Sequence, residues 1–391
     1  MRDRSLDLLK GIACVLMIFA HSSGIESILT GILYGNNSHL VEYVYKIGET
    51  APIFFFAVTG VVACMQAAKY PPKSILLQYS FLFLLGFSYN GITEINYYQD
   101  FSFEIIQIIA IGAVFVFLTQ YFIKPPLFVF LGIGFSIFLM KLISDHNVWV
   151  HQILSLKGGL LIPPGPFPVL PWLSLFFLGP FAYYTKNRNN LIAASISIGL
   201  LVILKLFSIP LQPGNKWDMS IGYFLLSCVL LFMSFFVVRI YVRQEKLSQG
   251  LVKRIEDLIL FLGVNSLLFL YIHKFIIRLL HNLATFQYFY QILRHPIVFW
   301  SLVLAITVLL MKLILEIFPL SLGNKFLGDI RTWIILVGLI LVIPIIIDHT
   351  VVIYSFELFF GIIFSIYYPQ LRNLLKSNHL ERNLAVIKER G

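Results

Sequence analysis

The chain carries little charge for its length. Only 12% of its 391 residues are charged, whereas 59% are apolar. A soluble domain has about twice that charged fraction. Apolar runs near 20 residues recur along the whole sequence, and each is long enough to cross a hydrocarbon core of about 30 Å. No soluble core of this size buries so many uninterrupted apolar segments, so the sequence predicts an integral membrane protein.

Cysteine and low-complexity sequence are scarce as well. The three cysteines, Cys14, Cys64 and Cys228, all lie in apolar segments. This placement excludes a disulfide framework and offers no thiolate metal site, so we expect no metal. The excess of 29 Lys and Arg over 19 Asp and Glu is the one feature that would suit nucleic acid. Its distribution follows membrane topology instead, and we expect no nucleic-acid partner.

The apolar runs predict the fold class. We expect an all-α, polytopic transmembrane helix bundle with about 11 to 12 spans. The last two predicted segments are separated only by Asp348 and His349, so they are either two spans or one broken segment. The segments are 6–24, 47–68, 74–92, 103–122, 126–144, 167–185, 190–208, 218–239, 258–280, 296–318, 332–348 and 350–368.

The basic residues predict the orientation of these segments. With the N-terminus in the cytoplasm, 21 Lys and Arg fall on the inner side and 8 on the outer side. This asymmetry satisfies the positive-inside rule and places both termini in the cytoplasm. Residues 1–368 then form the membrane domain, and residues 369–391 form a cytoplasmic tail. A cleaved signal peptide over Gly11–Ala20 is the alternative, but Asp7 and Lys10 favour an uncleaved first span.

The first span has one polar face. At 100° per residue, Asp7, Lys10, Cys14, Met17 and His21 fall in a single stripe. Ionisable side chains in a membrane helix are costly, and such a face usually borders a protein interior or a wet cavity. Lys10 and His21 lie about 16 Å apart along the helix axis, which suits a long ligand with an anionic head. The alternative is structural: a snorkelling lysine paired with Asp7, and a histidine at the outer interface.

These residues resemble a known family. Lys10, ten intervening residues and His21 match the Arg/Lys-x10-His signature of the transmembrane acyltransferase family 3. Three further stretches, in the expected order, are similar to heparan-alpha-glucosaminide N-acetyltransferase-like bacterial proteins. They are Ala51–Gly60, Phe167–Gly179 and Leu262–His273. The resemblance extends from the first span to about residue 275 and leaves the last three spans unmatched.

The resemblance implies an integral membrane acyltransferase in the inner membrane of a bacterium. Cytoplasmic acyl-CoA, with acetyl-CoA expected, would be the donor. The acceptor would be a hydroxyl or amine of a sugar, glycolipid or envelope polysaccharide, and residues 1–368 would be the acyltransferase domain. His21 takes the catalytic role, and Lys10 takes the basic role that an arginine usually fills. We expect Lys10 to contact the anionic part of the acyl-CoA donor. Direct attack by the acceptor and an acyl-histidine intermediate both remain open.

Other polar residues within or beside the spans are candidate substrate-binding groups. Asn265 and Ser266 lie eight and seven residues before His273. The spacing of seven puts Ser266 and His273 on one helix face. His273 either orients a substrate or is a structural histidine near the outer end of its span. Glu49 precedes the second apolar run, where it either contacts an acceptor hydroxyl or stabilises a helix N-terminus. Asp7 joins them as the neighbour of Lys10.

Two other function classes compete with acyl transfer. A transporter or flippase for a lipid-linked or small anionic solute shares the expected layout of spans and termini. The chain has no matching interrupted halves, which are the usual sign of inverted repeats. A non-catalytic partner in an envelope-polymer complex is the third possibility, and the intact Lys10/His21 pair argues against it. An oligomer is compatible with each of these functions.

Overall fold

In the computed structural model, the regular secondary structure of the described residues consists only of helices. This confirms the predicted all-α, polytopic bundle. The described residues are 3–23, 38–93, 103–155, 159–163, 165–212, 215–244, 249–284, 286–293, 295–319, 321, 323, 327–347 and 350–390.

The helices follow the predicted segments closely. The first eight are Arg4–Ser23 (α1), Ser38–Gly48 (α2), Ala51–Ala67 (α3), Pro72–Thr93 (α4), Ile105–Leu118 (α5), Leu127–His146 (α6), Val148–Leu154 (α7) and Val169–Tyr184 (α8). A π-helical turn, Thr119–Ile123, extends α5. The others are Asn187–Leu206 (α9), Ile221–Arg243 (α10), Gly250–Val264 (α11), Ser266–Leu283 (α12), Gln287–Leu293 (α13), Pro296–Ile317 (α14), Ile330–Ile346 (α15) and Thr350–Arg390 (α16).

Seven of the described helical stretches are long and apolar enough to cross a bilayer, or up to eight if the bent pair α11 and α12 forms one span. The remaining predicted segments coincide with helices that are shorter, such as α8 and α15, or more polar, such as α1. The number of 11 to 12 crossings therefore stays a prediction. Asp348 and His349 lie outside the described residues, and the helices on either side of them, α15 and α16, pack against each other. α16 also continues beyond the predicted domain boundary at residue 368.

The predicted continuous segment 258–280 is wrong. Its residues belong to two helices, α11 and α12, which meet at an angle of 97°. Asn265 occupies the break with φ −108° and ψ 28°, and its side-chain amide donates to the carbonyl of Phe261 over 2.9 Å. Asparagine competes with the backbone for hydrogen bonds in this way, which is why it favours helix ends. The hydropathy of an apolar run does not predict such a break.

The polar first helix lies at the centre of the bundle. α1 packs against six others, namely α2, α3, α10, α11, α12 and α14. Its crossing with α11 depends on two glycines. A methyl group on Gly263 would lie 1.8 Å from the carbonyl oxygen of Asp7, and one on Gly11 would lie 1.9 Å from that of Ile259. Small residues allow such close contact between membrane helices, so this pair fixes the position of α1.

The helix directions bring chemically distinct residues to the two ends of the bundle. At one end lie the C-terminus of α1 and the N-termini of α3, α5 and α10, together with the second half of α12. At the other end lie the N-terminus of α1, the α8–α9 junction and the C-terminus of α10. Each end contains a cavity, lined by residues from these termini.

Candidate active site

Two histidines from distant helices form a hydrogen-bonded pair. Nδ1 of His21, near the end of α1, lies 2.7 Å from Nε2 of His273 in α12. Nδ1 of His273 lies 2.7 Å from the backbone carbonyl oxygen of Phe269. The His273 ring is fully buried and stacks on the Phe269 ring with centroids 4.5 Å apart. The pair is therefore held in place from the α12 side.

The hydrogen bonds assign the protons of the neutral pair. A carbonyl oxygen only accepts, so Nδ1 of His273 carries its proton and Nε2 is left as an acceptor. Nδ1 of His21 must then donate to that acceptor. Nε2 of His21 is consequently the unprotonated nitrogen, with its lone pair available to a ligand.

His21 lines a cavity of about 600 Å³. A cavity of this volume lies within the range typical of small-molecule sites. Its walls combine aromatic rings with charged side chains. The aromatic residues are Tyr45, Tyr89, Phe167 and Trp217, and the ionisable ones are His21, Glu49, Glu104, Lys216, Lys274, Arg278 and His281.

Glu49 and Lys216 form a buried ion pair in this wall. Oε1 of Glu49 lies 3.3 Å from Nζ of Lys216, and both side chains are less than a tenth exposed. Nζ of Lys216 also lies 4.1 Å from the centre of the Trp217 ring. Burial lowers the pKa of Lys216 below its ordinary value, while the Glu49 carboxylate opposes the shift. The pair joins the α9–α10 connection to the short connection between α2 and α3.

A second carboxylate enters the cavity from the start of α5. Glu104 is the N-cap residue, and its side chain accepts from the backbone N–H of Ile105 over 3.2 Å. Gln107 returns the contact by accepting from the backbone N–H of Glu104 over 2.8 Å. This capping box fixes the carboxylate at the N-terminus of α5. Lys274 lines the same cavity, where the Glu104 carboxylate attracts its charge, although Lys274 makes no hydrogen bond or ion pair to another described residue.

The predicted polar stripe of α1 is divided between different environments. Asp7 is buried and forms an ion pair with Lys10 over 2.8 Å. Cys14 is fully buried, and Met17 and His21 reach the cavity. Lys10 and Asp7 do not belong to the cavity wall. The structure thus brings His21 to the candidate site. Lys10 lies nearer the N-terminus of α1, where it pairs with Asp7 as the structural alternative in the sequence analysis expected.

The other predicted binding residues divide in the same way. Glu49 and His273 belong to the site through the cavity wall and the histidine pair. Asn265 ends α11 and Ser266 begins α12, and neither lines the cavity. Sequence reasoning missed Lys216 and Lys274, which it counted only among the 8 basic residues predicted on the outer side. Lys274 adjoins His273, and this adjacency was the one available signal.

Comparison with known families supplies independent information. The family model described as heparan-alpha-glucosaminide N-acetyltransferase, catalytic, matches residues 2–209, just over half of the 391 residues. No curated protein and no solved structure matches the chain. The matched part contains His21, Glu49 and Glu104. Lys216, His273 and Lys274 lie beyond it, so their place in the site depends on the three-dimensional structure alone.

Proposed function

The chain belongs to the heparan-alpha-glucosaminide N-acetyltransferase catalytic-domain family, and from this premise we propose that it moves an acetyl group from acetyl-CoA to a hydroxyl or amine of a sugar-bearing acceptor, with His21 as the general base. The family and the apolar helices make it a multi-pass membrane acetyltransferase. The observation that carries the proposal is the histidine pair, which leaves Nε2 of His21 unprotonated in a cavity wall.

The transfer needs one proton to move twice. Nε2 of His21 accepts the proton of the acceptor O–H or N–H as that atom attacks the thioester carbonyl carbon. The new C–O or C–N bond forms a tetrahedral intermediate, the C–S bond then breaks, and the departing sulfur takes the proton back from Nε2. The products are the acetylated acceptor and CoA thiol. No net proton is consumed, and His21 returns to its starting state.

His273 positions His21 during this cycle. When Nε2 of His21 gains a proton, the ring becomes positively charged and its Nδ1–H becomes a stronger donor. Nε2 of His273 accepts that bond at 2.7 Å, and the carbonyl of Phe269 keeps His273 in the accepting tautomer. A histidine oriented by a hydrogen bond on its second nitrogen is a recurring arrangement in acid–base catalysis. His273 touches no reacting atom in this scheme.

Lys274 supplies positive charge beside the reacting centre. Its neighbour in sequence, His273, bonds to His21, and Lys274 itself lines the same cavity. Negative charge develops on the thioester oxygen as the tetrahedral intermediate forms. A cation in the cavity wall stabilises that charge in the transition state. We assign Lys274 this electrostatic role.

The aromatic wall suits a sugar ring. Tyr45, Tyr89 and Trp217 line the cavity, and Glu49 and Glu104 offer acceptors for hydroxyl groups. We infer from the positive-inside rule that both termini face the cytoplasm of a bacterium and that this cavity opens toward the outer side of its inner membrane. Acetyl-CoA approaches from the cytoplasm, so donor and acceptor reach His21 from opposite sides.

Acetyl transfer by the purified protein is the direct test. The full chain in detergent is supplied with radiolabelled acetyl-CoA and a panel of sugar amines and sugar alcohols, and the acetylated products are separated from free acetate. Acceptor-dependent product formation is expected. An alternative route through an acetyl-histidine predicts label on the protein when the acceptor is omitted. Absence of both transfer and protein labelling, in a sample that binds CoA, would contradict the proposal.

A further inference from the structure

A second cavity lies at the opposite end of the bundle. Its volume is about 630 Å³, and its wall includes Ser5 of α1, Tyr184 of α8, and Arg243 of α10. Ser5 is separated from His21 by sixteen positions of α1, or about 24 Å. The two cavities share no lining residue. The second cavity is therefore a separate site from the one that contains the histidine pair.

Positive charge dominates the wall of this cavity. Lys186, Arg239 and Arg243 line it, and Asp3 is the one carboxylate among the described residues of the wall. The Arg239 guanidinium is fixed by acceptors that carry no formal charge. It donates to the carbonyl of Thr185 over 2.7 Å, to Oδ1 of Asn187 over 2.8 Å, and to two further carbonyls of α8. These bonds hold the guanidinium in place, and the Asp3 carboxylate in the same wall attracts its positive charge.

The one carboxylate is already engaged. Oδ1 of Asp3 accepts from the backbone N–H of Ser5 over 2.8 Å and from that of Leu6 over 3.3 Å. It also accepts from the Ser5 hydroxyl, and the Tyr183 hydroxyl donates to Oδ2. These contacts fix Asp3 as a cap at the start of α1. Lys186 and Arg243 have exposed side chains without a hydrogen bond or ion pair to another described residue.

We propose that this second cavity binds a phosphate-bearing group, with Lys186 and Arg243 contacting the phosphate oxygens and Arg239 supplying a fixed positive charge behind them. Guanidinium and ammonium groups form strong, charge-assisted bonds to phosphate. Tyr184, Asn187 and Ser5 provide further polar contacts around the anion. The assignment rests on the cavity and its charges, and it holds whether or not His21 performs acetyl transfer.

Two sources can supply such a group, namely the nucleotide part of a soluble ligand or the headgroup of an anionic lipid. Calorimetric titration of the full-length protein in detergent with adenosine 3′,5′-bisphosphate tests the first. Native mass spectrometry of protein released from nanodiscs of equal phosphatidylglycerol and phosphatidylcholine tests the second. Phosphatidylglycerol retained in preference to phosphatidylcholine identifies a lipid site, and calorimetric binding of the nucleotide identifies a nucleotide site.

The double variant Lys186→Gln/Arg243→Gln is the decisive comparison. Loss of two charged contacts should weaken nucleotide affinity, or lipid retention, by about tenfold or more. Arg188→Gln is the matched control, since it removes one positive charge from the same turn of α9 outside the cavity wall. The single variant Lys186→Gln repeats the test if the double variant melts at a lower temperature.

The outcome is independent of catalysis. His21→Ala should bind the nucleotide or lipid with wild-type affinity, because His21 lies in the other cavity. A loss of acetyl transfer combined with intact phosphate binding leaves this proposal standing. Equal binding by wild type, Arg188→Gln and the double variant in both measurements would overturn it, as would no binding by any of them.

Discussion

Nδ1 of His21 lies 2.7 Å from Nε2 of His273, although the two residues are 252 positions apart in the chain. The carbonyl of Phe269 fixes the tautomer of His273, and His273 in turn fixes that of His21. A chain of two hydrogen bonds thus leaves Nε2 of His21 as a base in the wall of a cavity. The first two predictions test the two members of this pair separately.

Removing the proposed base should abolish most of the chemistry. We expect His21→Ala to lower the single-turnover rate of acetyl transfer by about 10² or more, since general-base catalysis contributes that much. Calorimetry should still detect CoA binding, because the residue predicted to contact the charged part of the donor is Lys10, about 16 Å from His21 along α1. His151→Ala, which changes an exposed histidine of α7, is the control. A near-wild-type transfer rate in His21→Ala would show that another group takes the proton.

Removing the positioning residue should have a smaller and partly reversible effect. We expect His273→Ala to lower kcat about tenfold or more while the KM for acetyl-CoA changes little, because the base is disoriented and the donor site is not. His273→Gln keeps an acceptor oxygen near the position of Nε2 and should restore part of kcat. A glutamine variant no faster than the alanine variant, at equal thermal stability, would mean that His273 only fills space.

The Glu49–Lys216 ion pair should stabilise the cavity wall. Replacing Lys216 by methionine leaves a buried carboxylate without its partner, and we expect unfolding to become easier by about 3 kcal/mol. The double variant Glu49→Gln/Lys216→Met removes both charges and should recover most of that loss. Thermal melts of the wild type, the two single variants Glu49→Gln and Lys216→Met, and the double variant complete the double-mutant cycle. Additive effects would show that the 3.3 Å contact contributes nothing to stability.

Lys10 is predicted to contact the donor, and its pairing with Asp7 complicates the test. We expect Lys10→Gln to raise the KM for acetyl-CoA about tenfold with a smaller change in kcat. The double variant Asp7→Asn/Lys10→Gln removes the same lysine together with the carboxylate charge that it pairs with. Lys10→Arg should keep donor affinity. Wild-type CoA affinity in the double variant would show that Lys10 only neutralises Asp7.

The proposed topology predicts which side of the membrane each loop faces. A cysteine introduced at position 151 should react with an impermeant maleimide from outside the cell. One introduced at position 377 should react only after the membrane is opened. The three native cysteines are buried, so they give a low background. Labelling of both positions from the same side would contradict the orientation inferred from the Lys and Arg distribution.

The sequence by itself determined the membrane bundle and the position of its most informative helix. Segment length and hydropathy are local properties, and they placed most of the long helices to within a few residues, because every span must satisfy its backbone hydrogen bonds internally. The exceptions are the break at Asn265 and the extension of α16 beyond residue 368. The polar stripe of α1 is likewise a local property of helical periodicity. It identified His21, and the same periodicity predicted the Asp7–Lys10 contact one turn apart, which the structure contains.

Only the tertiary structure decided which residues surround His21. His273 reaches it because the chain breaks at Asn265 and turns by 97°, and because Gly11 and Gly263 let α1 and α11 approach closely. Lys216 arrives from a connection between helices and Glu104 from the N-cap of another, so neither belongs to a periodic pattern. Contacts between residues far apart in the chain depend on helix packing, and a run of apolar residues does not encode which helix faces which. For that reason the sequence pointed to His21, and the fold supplied its partner and its cavity.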